Sequence, residues 1–159
     1  MTITYHSPKP NHAHLLEIFF QESLQLNFSY LPKEAHFHFQ APWKIDKLIP
    51  RLENPSGLLI CAWENDQIIG LVYGTGPEGG VGTIIWLMVH PDYQNQHIGK
   101  ELLSQAKSHY KNQNAHKIKL TVHDERAMKF YERENFIKEA LHKKHWWELD
   151  FWALSYFIR

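Results

Sequence analysis

The sequence has very little cysteine: Cys61 is the only one in 159 residues, so an internal disulfide is excluded. It has no excess of one charge either, because 17 Lys and Arg balance 17 Asp and Glu, and the basic surface typical of nucleic-acid binding is missing. The most apolar stretch, residues 146–158, is shorter than a membrane span and carries Glu148 and Asp150. Residues 1–6 lack a signal-peptide core. We therefore expect a cytoplasmic protein whose partners include neither nucleic acid nor a membrane.

The residues that are present are typical of a folded protein. Apolar residues make up 43% of the chain, with six Trp, seven Tyr and nine Phe, which argues against disorder. The length suits one domain over residues 1–159 with a sizeable core. Twelve His is a high count, and His36 and His38 would share one side of a strand. A metal site needs a third or fourth ligand, which is not visible here, so we expect no metal.

Hydrophobic spacing predicts an α/β protein of the α+β type. One amphipathic helix is predicted at residues 11–26 and another around 45–52, where Pro50 should bend or end it; residues 27–42 between them look like a loop. The remaining predicted elements are strands at 2–5, 57–63, 67–73, 83–89, 117–122, 136–147 and 151–158, and helices at 99–111 and 125–134. This order predicts a mixed, mostly antiparallel central sheet of about six to seven strands flanked by about four helices.

A glycine-rich segment, GTGPEGG at residues 74–80, has the Gly-x-Gly-x-x-Gly spacing of dinucleotide-binding proteins. That fingerprint requires a helix to begin there, because the free N–H groups of the helix hold the pyrophosphate. An apolar, β-branched strand at residues 83–89 follows instead. We interpret the segment as a hairpin connection.

The stretch VHPDYQNQHIGK, residues 89–100, has the context that the glycine-rich segment lacks. A strand ends at Val89, Pro91 turns the chain, and a helix follows. The first N–H groups of a helix have no intrahelical acceptors, and the helix dipole places about half a positive charge beside them. Gly99 lets a ligand approach the backbone and Lys100 adds a cation. The loop is therefore a candidate anion site, with an ordinary strand–loop–helix connection as the alternative.

Two segments together resemble the GNAT superfamily of N-acetyltransferases. In that family a strand runs into Gln/Arg-x-x-Gly-x-Gly/Ala at the start of a helix, and here QNQHIG stands at residues 94–99. The second family motif is Asn-x-x-Ala-x-x-x-Tyr, usually followed by Glu-Lys-Leu-Gly-Phe, and here residues 124–136 read DERAMKFYERENF. The motifs lie within residues 83–137, and the order of predicted elements extends the resemblance to nearly the whole chain.

The sequence departs from the family pattern at three positions. His97 stands where the family usually has Gly. A side chain at this position affects how closely the backbone can surround a phosphate. Asp124 stands where Asn is common, and a carboxylate accepts a hydrogen bond but donates none. Asn135 replaces the Gly that ends the helix, a mild change because Asn tolerates the left-handed conformation.

The resemblance implies that acetyl-CoA is a co-substrate and that its acetyl group passes directly to a primary amine of a small molecule or peptide. A backbone N–H near Met88, on a strand that splays from its neighbour in this family, would stabilise the developing oxyanion. That strand would also pair with the pantetheine arm, and the loop would take the pyrophosphate. The implied cofactor-binding residues are Leu87, Met88, Val89, Gln94, Asn95, Gln96, His97, Ile98, Gly99, Lys100, Asp124 and Tyr131.

Tyr131 matches the family's general acid, which protonates the departing thiolate. A phenol with an ordinary pKa near 10 carries its proton at neutral pH, as an acid must. A core tyrosine on an amphipathic helix is the alternative interpretation. The general base stays open: the central strand carries no early carboxylate, and the candidates are His90, His123, Asp124 or a chain of waters.

The acceptor pocket implied by the family lies between the loop after the first helix and the last hairpin. These regions are aromatic and poor in carboxylates, which argues against a polyamine; aromatic faces can also bind an ammonium group. The candidate substrate-binding residues are Tyr30, Trp86, His123 and Trp147. The same aromatic residues would equally serve as core or as a homodimer surface. A non-catalytic acyl-CoA-binding module and an aromatic-surface interaction domain are the alternative functions.

Overall fold

The computed structural model describes residues 2–159 and contains one seven-stranded sheet. The strands lie in the spatial order β1-β2-β3-β4-β5-β7-β6, and all neighbouring pairs are antiparallel except β4 and β5. This mixed, mostly antiparallel sheet confirms the predicted fold class. The strands are β1 (Thr4–His6), β2 (Leu58–Glu64), β3 (Gln67–Glu78), β4 (Val81–Val89), β5 (Lys117–Val122), β6 (Ile137–Trp146) and β7 (Leu149–Phe157).

Five α-helices flank the sheet, where about four were predicted. No helix within residues 2–159 is both long and apolar enough to cross a membrane. The second predicted helix continues through Pro50, so proline does not end it. The helices are α1 (Ala13–Asn27), α2 (Lys33–Gln40), α3 (Ile45–Glu53), α4 (Ile98–Asn112) and α5 (Glu125–Arg133).

Side-chain alternation along the strands gives the sheet a core on each face. On one face Met88 packs with the apolar side of α1 and α3, and on the other Leu102 of α4 packs with Ile84. Burying one such leucine side chain stabilises the fold by about 1.5–3 kcal/mol. Cys61 is fully buried on β2, and burial raises the pKa of its thiol, so it behaves as a core residue.

The predicted loop at residues 27–42 is wrong, because α2 forms within it. Ala35 is the only buried residue of α2, so this helix lacks the apolar stripe by which periodicity identifies a helix. Tertiary contacts hold α2 instead. The Nε2 of His36 donates to the carbonyl of Phe28 at 2.9 Å, and Phe39 lies edge-on to Trp86.

The two histidines that were expected on one side of a strand lie on α2. His38 packs edge-on against Trp147, while His36 is used in the hydrogen bond to Phe28. Within residues 2–159 there is no group of three or more His, Cys, Asp or Glu side chains that could hold a metal ion.

The parallel strands β4 and β5 separate and open a cleft in the middle of the sheet. They pair only over residues 81–83 and 117–119, whereas β4 continues beside β3 as far as Val89. A bulge accompanies the separation: Tyr73 pairs with Trp86 and Gly74 with Ile84, so Ile85 has no partner on β3. Beyond the bulge, the edge of β4 that faces β5 carries backbone groups with no strand partner.

Tyr110 of α4 supports the closed end of this cleft. Its side chain is fully buried, and its hydroxyl lies 2.9 Å from the Thr75 carbonyl and 3.1 Å from the Thr83 carbonyl. Its ring occupies the space that a Cβ would need at Gly82, and its hydroxyl the space that a Cβ would need at Gly74. Both glycines are therefore required so that Tyr110 can lie directly on the sheet.

Candidate active site

A groove of about 1580 Å³ runs through the cleft between β4 and β5. Sites for one drug-sized ligand are typically about 300–1,000 Å³, so this groove has room for two ligands side by side. Gln96 and Trp147 are the two predicted site residues that do not line it. The predicted residues that do are Leu87, Met88, Val89, Gln94, Asn95, His97, Ile98, Gly99, Lys100, Asp124, Tyr131, Tyr30, Trp86 and His123.

The register of β4 decides which of its amides face the groove. The His90 amide donates to the Ile69 carbonyl at 2.9 Å, and Met88 lies opposite Leu71 two residues earlier. In an antiparallel pair every second residue exchanges hydrogen bonds, so the Met88 N–H points towards β3. The backbone N–H near Met88 that was expected to face the cleft is therefore not that of Met88 itself: its neighbours Leu87 and Val89 direct their backbone groups towards the cleft.

Asn27, which the sequence did not single out, organises the open edge of β4. Its side-chain amide donates to the Val89 carbonyl at 3.1 Å and accepts from Gln94 Nε2 at 2.8 Å. Gln94 Nε2 also lies 3.2 Å from the Val89 carbonyl. The end of α1, the edge of β4 and the loop before α4 are thus joined, and the Gln94 side chain is used for positioning.

The start of α4 has the free amides that were predicted. The first backbone bond of the helix runs from the Glu101 N–H to the His97 carbonyl at 3.0 Å. The amides of Ile98, Gly99 and Lys100 therefore have no backbone acceptor, and the positive end of the helix dipole coincides with them. This end of the groove can bind a phosphate group.

His97 adopts the left-handed conformation, with φ of 62°, directly before α4. This conformation costs a non-glycine residue roughly 1–2 kcal/mol, which accounts for the glycine that stands here in the family pattern. Histidine thus takes the backbone path of glycine at an energetic cost, and its exposed side chain lies at the groove.

We expect CoA affinity to rise as pH falls from about 8 to 5, because a bound phosphate favours the imidazolium form of His97. A hydrogen bond to a charged group contributes about 1.5–3 kcal/mol, so the change should reach roughly tenfold. Titration calorimetry across this range measures it. His97→Gly should flatten the dependence, whereas Asn95→Gly, a change at another left-handed position, should retain it. Identical profiles for the protein and His97→Gly would contradict a phosphate contact by His97.

Gly99 has no structural need to be glycine. A Cβ at this position would lie 3.6 Å from the nearest Phe130 atom and 3.7 Å from a Val89 methyl group, which are ordinary contacts. Gly99 lines the groove beside the free amides of α4. The lack of a side chain at Gly99 therefore matters more for the space that it leaves in the groove than for the packing of the protein.

The α5 segment explains the other two departures from the family pattern. Asp124 caps α5, and its carboxylate accepts from the Arg126 amide at 3.2 Å. Capping requires only an acceptor, so Asp replaces Asn here without loss. Asn135 has φ of 69° just after the helix, as expected for the residue in place of glycine.

Tyr131 lies on the buried face of α5 and lines the groove. Its side chain packs between the rings of Phe130 and Phe136, with centroids 5.1 and 5.3 Å away. Burial raises the pKa of the Tyr131 phenol above its ordinary value, because the ionised form would lose hydration. Tyr131 consequently keeps its proton throughout the neutral range.

His123 lies at the end of β5, at the other side of the groove. Its Nδ1 is 2.7 Å from the backbone carbonyl of Asp150. Because a carbonyl only accepts, Nδ1 carries the hydrogen, and a neutral ring then has its lone pair on Nε2. Of the other candidate bases, His90 lies outside the groove lining, where its Nδ1 faces the Asp92 amide at 3.2 Å.

The aromatic residues predicted for the acceptor divide into two groups. Tyr30 and Trp86 line the groove, and the Tyr30 ring is 4.9 Å from the His123 ring. Trp147 instead packs on α2, with its ring 5.7 Å from His38 and 6.4 Å from Phe39. Trp147 thus packs the β6–β7 hairpin against α2 and does not itself line the groove.

Two cations on α5 were not predicted from the sequence. Arg126 and Arg133 line the groove together with Phe130, which lies between them. Their spacing of four and three residues places all three on one helical face, and that spacing was a usable signal. Guanidinium groups suit the binding of phosphates.

Comparison with known proteins identifies a family. The model of the acetyltransferase (GNAT) family matches residues 14–136. The structure of PaiA N-acetyltransferase from Thermoplasma acidophilum in complex with coenzyme A is similar, with a TM-score of 0.83 and 18% identity over 99% of this chain and 100% of that one. No protein of curated function matches the sequence.

Two further structures share the fold. The ribosomal-protein-S18-alanine N-acetyltransferase from Escherichia coli has a TM-score of 0.74 and 15% identity, covering 97% of this chain and 92% of that one. A structure from Bacillus anthracis in complex with acetyl coenzyme A has a TM-score of 0.63 and 21% identity over 69% and 68% of the two chains. Identities this low establish the fold, while the match to the family model covers most of the chain.

Proposed function

Since the chain belongs to the acetyltransferase (GNAT) family, we propose that it transfers the acetyl group of acetyl-CoA directly to a primary amine while both substrates are bound. The observation that carries this proposal is the groove between β4 and β5, with free helix amides at one end and Tyr131 and His123 along its walls. Its volume suits two ligands at once. No observation favours a non-catalytic acyl-CoA module or an interaction domain.

In this proposal the chain binds acetyl-CoA in two ways. The amides of Ile98, Gly99 and Lys100 hold the pyrophosphate, assisted by Arg126 and Arg133 on α5. The open edge of β4 pairs with the pantetheine arm as an added strand would. The Leu87 or Val89 N–H donates to the thioester oxygen as negative charge develops there.

We assign Tyr131 as the general acid and His123 as the general base. Acetyl-CoA supplies an activated thioester, whose carbonyl carbon the amine nitrogen attacks. A C–N bond forms and the C–S bond breaks, while Tyr131 gives its proton to sulfur. The proton lost by the amine goes to His123 Nε2, and solvent returns it to Tyr131 between turnovers.

Acetyl-CoA should raise the melting temperature of the protein. Ligand at a hundredfold over its dissociation constant stabilises the folded state by about 2.7 kcal/mol, which for a protein of this size raises Tm by several degrees. Differential scanning fluorimetry measures the shift. S-acetyl-pantetheine, which lacks the pyrophosphate, should act only at much higher concentration. An unchanged Tm at millimolar acetyl-CoA would refute the proposed function.

A further inference from the structure

Five aromatic side chains form a continuous wall along the acceptor end of the groove. Trp86 lies between Phe28 and Phe39, with ring centroids 5.4 and 5.1 Å away. Phe28 also contacts Tyr30 at 6.1 Å, and Phe39 contacts Trp146 at 6.3 Å. All five line the groove. We call this set the aromatic wall.

The aromatic wall leads to the proposed base and is accessible to a ligand. The Tyr30 ring is 4.9 Å from His123. Tyr30 is 37% exposed and Trp146 is 45% exposed, so their ring faces are available to a ligand in the groove. Exposed aromatic faces bind aromatic and apolar groups, and they attract an ammonium group.

Carboxylates at this end are few, and their positions limit the charge of the acceptor. Burial and, to a smaller extent, the charge of Asp124 raise the pKa of Tyr30 to about 12, which places one carboxylate near the reacting end. Glu139 of β6 lies towards the closed end of the cleft instead, where it pairs with Lys117 at 2.8 Å and accepts from Ser155. Of the three carboxylates that line the groove, only that of Asp124 acts on Tyr30, so a second ammonium group on the acceptor would lack a carboxylate partner at the aromatic wall.

We propose that the acceptor is a small monoamine whose primary amino group is joined by a short chain to an aromatic ring. The ring lies against the aromatic wall and the nitrogen lies at His123 and Asp124. The inference rests on the proposed function and names its substrate class. Edge-to-face contacts, as already present within the wall, select an aromatic ring over an alkyl chain.

Steady-state kinetics with three amines tests this assignment. We expect kcat/KM for phenethylamine to exceed that for butylamine by at least about tenfold, since apolar contacts of this size discriminate by roughly 10- to 200-fold. Putrescine, a diamine, should be the poorest of the three. Equal or better use of butylamine or putrescine would overturn the proposal.

Substitutions in the aromatic wall test whether it determines the selectivity between the two amines. Trp146→Ala and Tyr30→Ala should each bring the ratio of phenethylamine to butylamine down several-fold, mainly through KM, while Tyr30→Phe should retain it. Phe37→Ala is the matched control, because Phe37 is 64% exposed on α2 and does not line the groove. A ratio unchanged in both alanine variants would overturn the assignment to the wall.

Binding measurements separate this inference from the proposed function. If acetyl-CoA binds but no amine is acetylated, the proposed transfer fails. Calorimetric titration of the CoA-loaded protein with phenethylamine and butylamine then decides the substrate class separately. Tighter binding of phenethylamine that Trp146→Ala weakens supports the wall as its site, and equal binding of both amines overturns it.

Discussion

Replacing Tyr131 with phenylalanine should lower kcat by about 10²- to 10⁴-fold, the usual contribution of general acid catalysis, or roughly 3–5 kcal/mol of the barrier. Phenylalanine keeps the ring that packs between Phe130 and Phe136 and deletes only the hydroxyl. The affinity for acetyl-CoA and the melting temperature should therefore change little. Single-turnover acetylation with a saturating amine measures the chemical step directly.

The control for this prediction is Tyr156→Phe. Tyr156 is partly buried, but it lies outside the groove lining, beneath Lys107 Nζ at 4.2 Å from its ring. Its hydroxyl should not affect kcat. Because burial raises the Tyr131 pKa, the activity that depends on its proton should persist up to at least about pH 10, the ordinary phenol value. Full single-turnover rates in Tyr131→Phe would exclude Tyr131 as the acid.

Replacing His123 with glutamine should lower kcat by about 10²-fold or more, because glutamine retains a polar side chain but cannot take a proton from the amine. The clearest difference between the wild type and this variant should be in the pH dependence of the rate. A base must be neutral, so the wild-type rate should fall as pH drops through the range in which imidazole is protonated. The His123→Gln variant should lack this fall in rate at low pH, the acidic limb of the profile.

Two groups near His123 do not change charge in that range. The pKa of Tyr30 is raised to about 12, so the phenol stays neutral. The backbone amide of Lys144 and the ammonium group of Lys143 lower the pKa of Asp150, so its carboxylate stays charged. His90→Gln is the matched control, since His90 lies outside the groove lining. A His123→Gln profile that keeps the acidic limb would mean that another group is the base.

Local patterns were sufficient to predict most of the fold. Strands β2 to β5, strand β7 and helices α4 and α5 follow from alternating or helical apolar spacing, because each buries side chains in the core, whereas β6 contains no buried residue. Helix α2 could not be predicted in this way, since it buries only Ala35 and is held by contacts to Phe28 and Trp86. Periodicity detects buried faces and not helices as such.

Local sequence patterns likewise predicted only part of the candidate site. The loop before α4 and Tyr131 could be proposed from sequence, because each belongs to a short motif whose residues are close in the chain. Of the aromatic residues at the acceptor end, the sequence singled out Tyr30 and Trp86, which line the groove. Trp147 was also predicted to lie there, whereas Phe28 was overlooked and the structure places it in the wall. Which aromatic rings face the groove depends on how the β6–β7 hairpin packs on α2.

By itself the sequence determined the order of the strands and of every helix except α2, the mixed sheet and the two motifs, because these depend on interactions between residues a few positions apart. Tertiary structure alone decided that the Met88 amide faces β3 while Leu87 and Val89 face the cleft, because strand register is a relation between two strands. It also brought Asn27 to Val89 across 62 residues and fixed the proton on His123 Nδ1 through a carbonyl 27 residues away. Hydrogen bonds between residues this far apart in the sequence depend on how the whole chain folds, so no local sequence pattern predicts them.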